Sequence, residues 1–163
     1  MMLKFKYIML LLCILSCFAA CRKDATVENY DPNPQFQKDT TAIRAFIKAN
    51  NIPATKDLSG VFYQIIEPGV GNIAYSANTK ITSDYEGKLL GGATFDSSKG
   101  TPITFALGQV IAGWQIGIPK IQKGGKIRLF IPSYYGYGTA AQGSALPANS
   151  ILDFNITLTE VSN

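Results

Sequence analysis

The sequence contains no histidine, and its three cysteines, Cys13, Cys17 and Cys21, all lie within the first 21 residues. The absence of histidine excludes Ser-His-Asp catalysis, Cys-His catalysis and histidine-ligated metal sites. The absence of cysteine after position 21 excludes a disulfide framework and a CxxC redox site in the body of the protein. We therefore expect a function that needs no metal, no cofactor, no imidazole and no thiol.

Charge is also sparse, and neither sign forms a cluster. The 163 residues carry 15 basic and 11 acidic side chains, a formal net charge of +4, and two of the lysines lie in the first twenty residues. The densest basic stretch, residues 120–128, is interrupted by glycines and is typical of a solvated strand end. A nucleic-acid partner is therefore not expected.

The first 20 residues have the three-part layout of an export signal. Residues 1–6 are basic, residues 7–20 form an apolar run that ends in small residues, and a charged segment follows. The run is shorter than the roughly 20 apolar residues that a transmembrane helix needs. We expect residues 1–20 to be a signal peptide, with an uncleaved anchor as the alternative.

A cysteine closes the predicted signal. The sequence Phe18-Ala19-Ala20-Cys21 resembles the lipobox of bacterial lipoproteins of the Bacteroidetes type, and Ile14-Leu15-Ser16-Cys17 fits nearly as well. Cys21 is preferred because the polar chain begins directly after it. The resemblance implies an exported protein that an acylated cysteine anchors to the envelope membrane, at the outer membrane, on its periplasmic or its surface side.

A tether and a helix are predicted next. Residues 21–37 contain prolines and show no hydrophobic periodicity, which indicates a flexible tether. In residues 38–57, the apolar Ile43, Phe46 and Ile47 recur at helical spacing. They predict an amphipathic helix over residues 39–50, with Asp39 or one of the two threonines after it as N-cap. This helix packs on the following domain or presents a partner surface.

Residues 58–163 change to the pattern of strands and turns. Short β-rich segments are predicted at residues 61–67, 79–85, 103–107, 126–131 and 152–158. In the last of them Asp153, Asn155 and Thr157 alternate with apolar residues, which predicts a sheet with one solvated face. Residues 111–118, closed by Pro119, form the one helical candidate of this region. The fold class is therefore α+β, with a twisted antiparallel sheet wrapped around one short helix and an additional N-terminal helix.

An ordered set of motifs runs through the same residues. In sequence it reads Tyr85-Glu86-Gly87-Lys88-Leu89-Leu90, Thr94-Phe95-Asp96-Ser97-Ser98, Pro102-Ile103-Thr104-Phe105, Gln109-Val110-Ile111-Ala112-Gly113-Trp114, Lys123-Gly124-Gly125-Lys126, Ile131-Pro132, Tyr135-Gly136-Tyr137-Gly138, Leu146-Pro147-Ala148-Asn149-Ser150 and Leu152-Asp153-Phe154. The set resembles the FKBP-type peptidyl-prolyl cis-trans isomerases over roughly residues 58 to 161. A single motif of this kind would be a weak signal; their order and spacing make it a strong one.

The resemblance implies a pocket for a proline ring and a role for each residue around it. Trp114 would be the floor, and the walls would be Tyr85, Phe95, Phe154, Ile103, Val110 and Ile111. Tyr137 and Leu146 would close one rim, Asp96 would lie beside the pocket, and the Ile111 backbone N–H would meet a substrate carbonyl. The loop after Ser98 lacks the family's usual basic residue that pairs with the aspartate, and Lys99 is the residue available to substitute for it. Phe105 and Ile131 are assigned to the core, which is also the alternative use of the aromatic residues.

Isomerisation of an X-Pro bond suits a site without titrating groups. The bond rotates over a barrier of about 20 kcal/mol because rotation breaks amide resonance. The twisted amide is less polar than the planar one, so that a dry aromatic pocket favours it. We expect an isomerase that acts on proline-containing polypeptides of the envelope, with macrolide inhibitors as further ligands. The alternatives are a binding or chaperone module of the same fold with little turnover, and an envelope interaction protein that uses the N-terminal helix.

Overall fold

The computed structural model describes residues 33–163. Within them two α-helices and seven strands alternate with short 3-10 turns. In chain order these are α1 (Pro34–Ala49), β1 (Thr55–Lys56), β2 (Phe62–Glu67), β3 (Lys80–Leu89), β4 (Thr94–Ser97), β5 (Ile103–Ala106), α2 (Ala112–Gly117), β6 (Lys126–Ile131) and β7 (Leu152–Ser162). No helix of these residues is long and apolar enough to cross a membrane.

The strands form one antiparallel sheet, in the order β1-β2-β6-β7-β3-β4, with β5 beside β3. Strand β3 pairs with β7 along its whole length, from Lys80 opposite Ser162 to Leu89 opposite Leu152. On its other side β3 pairs with β5 near its start and with β4 near its end. The predicted α+β class is confirmed, and the five predicted strand segments lie on β2, β3, β5, β6 and β7. Strands β1 and β4, of two and four residues, were not predicted.

One face of the sheet, here called the inner face, holds the larger core. Every second residue of β7 from Leu152 to Leu158 is buried there, together with Ile127 and Leu129 of β6. Helix α2 lies so close to this face that a Cβ at Gly113 would overlap the Ile131 side chain. The same holds for Gly117 against Leu129. Glycine is therefore required at both positions for the short helix to lie on the sheet.

The opposite, outer face is covered in part by α1. Ile43 of α1 packs against Phe62 and Phe130, which lie opposite each other on β2 and β6. The prediction of a solvated face is wrong at the start of β7, because Asp153 is only 4% exposed. Its carboxylate accepts two hydrogen bonds from Arg128, at 2.8 Å from Nε and 2.7 Å from Nη2. The apolar side of α1 is thus used for packing on the domain.

Helix α1 begins five residues earlier than the sequence pattern indicated, so that residues 34–37, assigned to the tether, are helical. The N-cap is Asn33, whose side-chain oxygen accepts from the backbone N–H groups of Gln35 and Phe36 at 3.0 and 3.3 Å. Pro34 suits the first helical position, where a missing N–H costs nothing. Asp39 is consequently an interior residue and not a cap. The predicted signal peptide, Cys17, Cys21 and most of the predicted tether lie outside the described residues.

Candidate active site

The inner face opens into a cavity of about 260 Å³ between α2, the start of β7 and the segments on either side of them. Aromatic and aliphatic side chains dominate its lining, which consists of Tyr85, Asp96, Phe105, Gln109, Val110, Ile111, Trp114, Tyr137 and Phe154. An apolar concave site with a few polar groups is the common form of a binding site for a small group. The cavity therefore has the shape and lining to accept an apolar ring.

The floor of the cavity is Trp114, in the middle of α2. Its side chain is 4% exposed, and three rings meet it edge to face. The ring centroids of Tyr85, Phe154 and Phe105 lie 5.2, 5.3 and 6.1 Å from it, with interplanar angles of 85, 86 and 84°. This is the geometry that aromatic quadrupoles favour, so that the rings hold one another in a fixed arrangement. Among the described residues, no hydrogen-bond acceptor meets the buried indole Nε1.

The rim carries the polar groups of the site. The phenol O–H of Tyr85 donates to Oδ2 of Asp96 at 2.9 Å. Burial, then the hydrogen bond to the Asp96 carboxylate, raises the pKa of Tyr85 from 10.0 to about 12. Burial and the charge of Asp96 also raise the pKa of Tyr137. Both phenols therefore stay protonated at neutral pH and can act only as hydrogen-bond donors or neutral acceptors.

Two hydrogen-bond donors of the rim are free to meet a ligand. The backbone N–H of Ile111, at the N-cap of α2, donates to no described residue, whereas its carbonyl accepts from Trp114 and Gln115. The hydroxyl of Tyr137 likewise has no hydrogen-bond partner in residues 33–163, and the side chain is 37% exposed. Both residues line the cavity, so that a carbonyl group in it can meet a donor from either residue.

Two other cavities are more polar in character. One lies along the outer face, where Asp84, Glu86, Lys99 and Asn155 line a volume of about 340 Å³. The other, of about 500 Å³, separates α1 from residues 148–151. Neither has the aromatic enclosure of the inner cavity, which therefore remains the candidate active site.

The comparisons with known proteins agree on one family. The model of the family described as FKBP-type peptidyl-prolyl cis-trans isomerase matches residues 71–159, which include every residue that lines the cavity. The chain belongs to this family. Its similarity to FKBP-type proteins extends to sequence and to structure, and both confirm the predicted fold.

Among curated relatives, the FKBP-type isomerase FkpA of Buchnera aphidicola subsp. Schizaphis graminum is 46% identical over 111 residues, which are 67% of this chain and 44% of the relative. The crystal structure of FkpA from Escherichia coli matches with a TM-score of 0.63 and 34% identity, over 78% of this chain and 63% of that one. A crystal structure of a peptidyl-prolyl cis-trans isomerase from Pseudomonas syringae pv. tomato gives a TM-score of 0.66 and 31% identity, over 78% and 96%. The match with the Buchnera relative thus covers less than half of that protein's length.

Most of the residues expected from the FKBP resemblance meet at the cavity. Tyr85, Asp96, Trp114, Tyr137 and Phe154 line it, as do Val110 and Ile111. The basic residue expected beside Asp96 is absent from that position: Lys99 lies at the polar groove of the outer face instead. The carboxylate of Asp96 is held by the Tyr85 hydroxyl.

Three predicted site residues do not line the cavity. Phe95 packs edge to face against the cavity-lining Phe154, with the two ring centroids 5.5 Å apart. Leu146 is buried in the larger core. Ile103 is 39% exposed on β5, outside the lining of the cavity. These residues belong to motifs that surround an FKBP-type site, but the packing of strands and loops decides which of them reach the cavity.

Two residues of the lining were missed. Phe105 was assigned to the core, yet its half-buried ring faces Trp114 and lines the cavity. Gln109 belongs to a recognised FKBP motif but was given no role. The signal for Phe105 was available. Phe105 comes two residues after Ile103 and therefore lies on the same side of β5, which had already been assigned to the pocket.

Proposed function

We propose that the protein is a peptidyl-prolyl cis-trans isomerase whose inner cavity binds the proline ring of a polypeptide and accelerates rotation about the preceding bond. The observation that carries the proposal is the floor of the cavity: the buried Trp114 ring, fixed edge to face by Tyr85, Phe105 and Phe154. A flat apolar floor with perpendicular walls fits the saturated five-membered ring of proline.

The cavity can lower the barrier without bond-making chemistry. Rotation about the X-Pro bond removes the resonance that makes the planar amide polar. An apolar site therefore solvates the twisted amide better, relative to the planar one, than water does. Each tenfold gain in rate requires about 1.4 kcal/mol of such differential stabilisation, which is a small demand on a site of this size.

The free donors of the rim complete the proposed mechanism. The N–H of Ile111 and the hydroxyl of Tyr137 would each hold a carbonyl of the peptide, one on either side of the rotating bond. Fixing the two ends of the peptide leaves the X-Pro bond as the only one that turns. The Asp96 carboxylate orients the Tyr85 wall and takes no proton from the substrate, because amide rotation requires no proton transfer.

Isomerisation is tested directly by exchange NMR on a short Ala-Pro peptide with catalytic amounts of the full chain. We expect cross-peaks between cis and trans forms at mixing times at which the free peptide, with its lifetime of roughly tens of seconds, shows none. Binding without exchange would instead identify a module of the FKBP fold that holds proline segments as a chaperone, and would reject the isomerase.

The envelope is the proposed place of action. The support is the N-terminal sequence, in which a basic start, an apolar run and Cys21 follow one another. Acylation at Cys21 would tether the domain to the membrane, and its substrates would then be exported proteins with slow X-Pro bonds. Labelling cells with a palmitate analogue tests this: Cys21→Ala should abolish the label and Cys17→Ala should keep it, and the reverse result would move the anchor to Cys17.

Macrolide inhibitors of FKBP-type proteins are proposed as competing ligands. The supporting observation is again the apolar lining, because a macrolide that carries a proline-like ring would occupy the same floor. Titration of Trp114 fluorescence, the signal of the single tryptophan of the chain, measures the affinity. A macrolide that quenches this signal without displacing a proline peptide would contradict a shared site.

A further inference from the structure

A carboxylate that is buried between α1 and the domain has no basic partner among residues 33–163. Asp39 is 1% exposed, and no Lys or Arg of residues 33–163 forms a salt bridge with it. Three donors satisfy it instead. Its Oδ1 accepts from Gln35 Nε2 at 2.7 Å, and its Oδ2 accepts from the backbone N–H and the hydroxyl of Ser133 at 2.8 and 2.6 Å. A buried carboxylate is costly unless it is satisfied in this way.

Ser133 connects this carboxylate to the turn that follows β6. Its N–H and O–H both donate to Asp39, and its carbonyl accepts from the N–H groups of Gly136 and Gly138 at 3.0 and 2.8 Å. All the polar backbone and side-chain groups of Ser133 therefore have partners, and the residue joins α1 to the residues on either side of Tyr137.

Tyr137 lies between those two glycines and lines the cavity. The position of its side chain depends on the path of the backbone from 133 to 138, since this segment is one 3-10 turn, Ser133–Tyr135, followed by a loop, with no strand pairing to hold it. Other hydrogen bonds on this segment run from the Asn149 N–H to the Gly138 carbonyl at 2.7 Å, from the Ala140 N–H to the Tyr137 carbonyl at 3.1 Å and from the Tyr135 N–H to the Pro132 carbonyl at 2.9 Å.

Helix α1 makes a second contact with the same turn. The Phe36 ring meets the rings of Tyr134 and Tyr135 edge to face, with centroids 6.2 and 5.9 Å apart. Phe36 precedes Asp39 by one turn of the helix, so that both side chains point to the same place. The helix thus holds the 133–138 turn by an apolar contact and by a hydrogen-bonded one.

We propose that Asp39 is a positioning residue for the active site: acting through Ser133, it fixes the turn that places Tyr137 on the rim of the cavity. The N-terminal helix on the outer face thereby sets the geometry of substrate binding on the inner face. This inference rests on the proposed function, because the effect it predicts on turnover requires that the cavity isomerise proline peptides.

The test compares Asp39→Ala with Asp39→Asn in the full chain. Alanine leaves the Ser133 donors without an acceptor. Asparagine keeps one carbonyl oxygen toward Ser133, and Gln35 can rotate its amide to accept from the new NH2 group. We expect Asp39→Ala to displace the whole Tyr137 side chain, ring and hydroxyl together. KM for a proline peptide should then rise about tenfold with kcat nearly unchanged, the signature of lost binding shared by ground and transition states. Asp39→Asn should have a KM within about twofold of the wild-type value.

A readout that does not depend on turnover separates this inference from the proposed function. Hydrogen exchange of the Gly136 and Gly138 amides should be at least about tenfold faster in Asp39→Ala, since local opening of the turn exposes them. If the wild-type chain lacks isomerase activity, two measurements still test whether Asp39 holds the 133–138 turn: the exchange rates, and the affinity of a proline peptide followed by Trp114 fluorescence. Unchanged exchange at both glycines would overturn the inference.

Two further variants exclude a general loss of stability. Ile43→Ala removes a fully buried side chain of the same helix without touching Ser133, and it should lower the melting temperature while KM stays the same for the folded protein. Tyr137→Ala removes the group that Asp39 is inferred to position. The double variant with Asp39→Ala should then have a KM no higher than that of Tyr137→Ala alone. Additive effects, or a raised KM in Ile43→Ala, would contradict the inference.

Discussion

Buried polar groups on the two faces of the sheet differ in their hydrogen bonding. On the outer face, under and beside α1, the carboxylates of Asp39 and Asp153 are buried and fully bonded. On the inner face, the indole N–H of Trp114 and the hydroxyl of Ser83 are buried without a partner among the described residues. The outer face is built for stability, whereas the inner face leaves hydrogen-bonding capacity unused around an open cavity.

The difference shows what keeps a cavity open in a small domain. A domain closes unfilled space when its side chains can collapse into it. Here the rings around Trp114 support one another edge to face, and α2 is already in contact with β6, so neither can move inward. On the outer face, α1 covers Phe62 and Phe130, and the cavities beside it are more polar. Substitutions in the lining of the inner cavity should therefore change activity, and those on the outer face should change stability, with Asp39 as the exception because it acts on the rim through Ser133.

The largest effect is expected at the floor of the cavity. Trp114→Ala should lower kcat/KM for a proline peptide by about 100-fold, because a displacement of the walls by about 1 Å has a cost of that order. Exchange NMR below the melting temperature measures it. The matched outer-face variant, Phe62→Leu, should cost about 1 kcal/mol of stability and leave kcat/KM intact. A large loss of activity in Phe62→Leu would break the division between the faces.

The next effect belongs to the outer face. Asp153→Asn leaves the half-buried Arg128 guanidinium without its bidentate partner, and we expect the free energy of unfolding to fall by about 2 kcal/mol, less than for a fully buried pair. Urea denaturation gives the value. Asn155 points to the same side of β7 but is exposed, so Asn155→Asp serves as a control that should change stability by less than about 0.5 kcal/mol.

A titration can sharpen the description of the rim. The folded-state pKa of Tyr85, about 12, lies above its usual 10.0, so the stability it contributes is present below pH 10 and is lost as the pH rises through the folded-state value. Absorbance at 295 nm, as the difference between wild type and Tyr85→Phe, should show this late titration. Asp96→Asn should move it part of the way back, since burial, the larger cause, remains. A Tyr85 that titrates at its usual value would contradict the enclosed rim.

Two serine substitutions compare how a single buried hydroxyl affects stability on each face. Ser83→Ala removes an unpaired buried hydroxyl from the inner face and should stabilise the fold by up to about 1 kcal/mol. Ser133→Ala removes a hydroxyl that donates to Asp39 and should destabilise the fold by a similar amount. Thermal unfolding of the two variants in one buffer makes the comparison. Equal signs for the two changes would show that the faces do not differ in this respect.

The smallest effect is expected at Tyr137. Tyr137→Phe keeps the ring and removes only the hydroxyl, so KM should rise about threefold, as for one lost hydrogen bond to a neutral group. Tyr134→Phe is the control, because the Tyr134 ring packs on Phe36 and does not line the cavity. An unchanged KM in Tyr137→Phe would remove its hydroxyl from the proposed mechanism while leaving the apolar pocket in place.

Much of the fold and the site could be predicted because their signals are local. The alternation in β7, the composition of β3 and the Trp114 motif each lie within ten residues of chain. What could not be predicted depends on residues far apart in sequence. Leu146, for example, does not reach the cavity because its loop folds back into the core. The start of α1 was misplaced because Asp39 looked like a cap, and its partner Ser133 is 94 residues away.

By itself the sequence determined that residues 22–163 contain no imidazole and no thiol, that an antiparallel sheet carries one short helix, and that Trp114 is at the centre of an aromatic site. These properties follow from residue types and from short-range periodicity. Only the tertiary structure decided which face is closed, which rings line the cavity and how Asp39 joins α1 to the rim. Those properties depend on strand pairing and on contacts between segments that are distant in the sequence, for which the sequence carries no local signal.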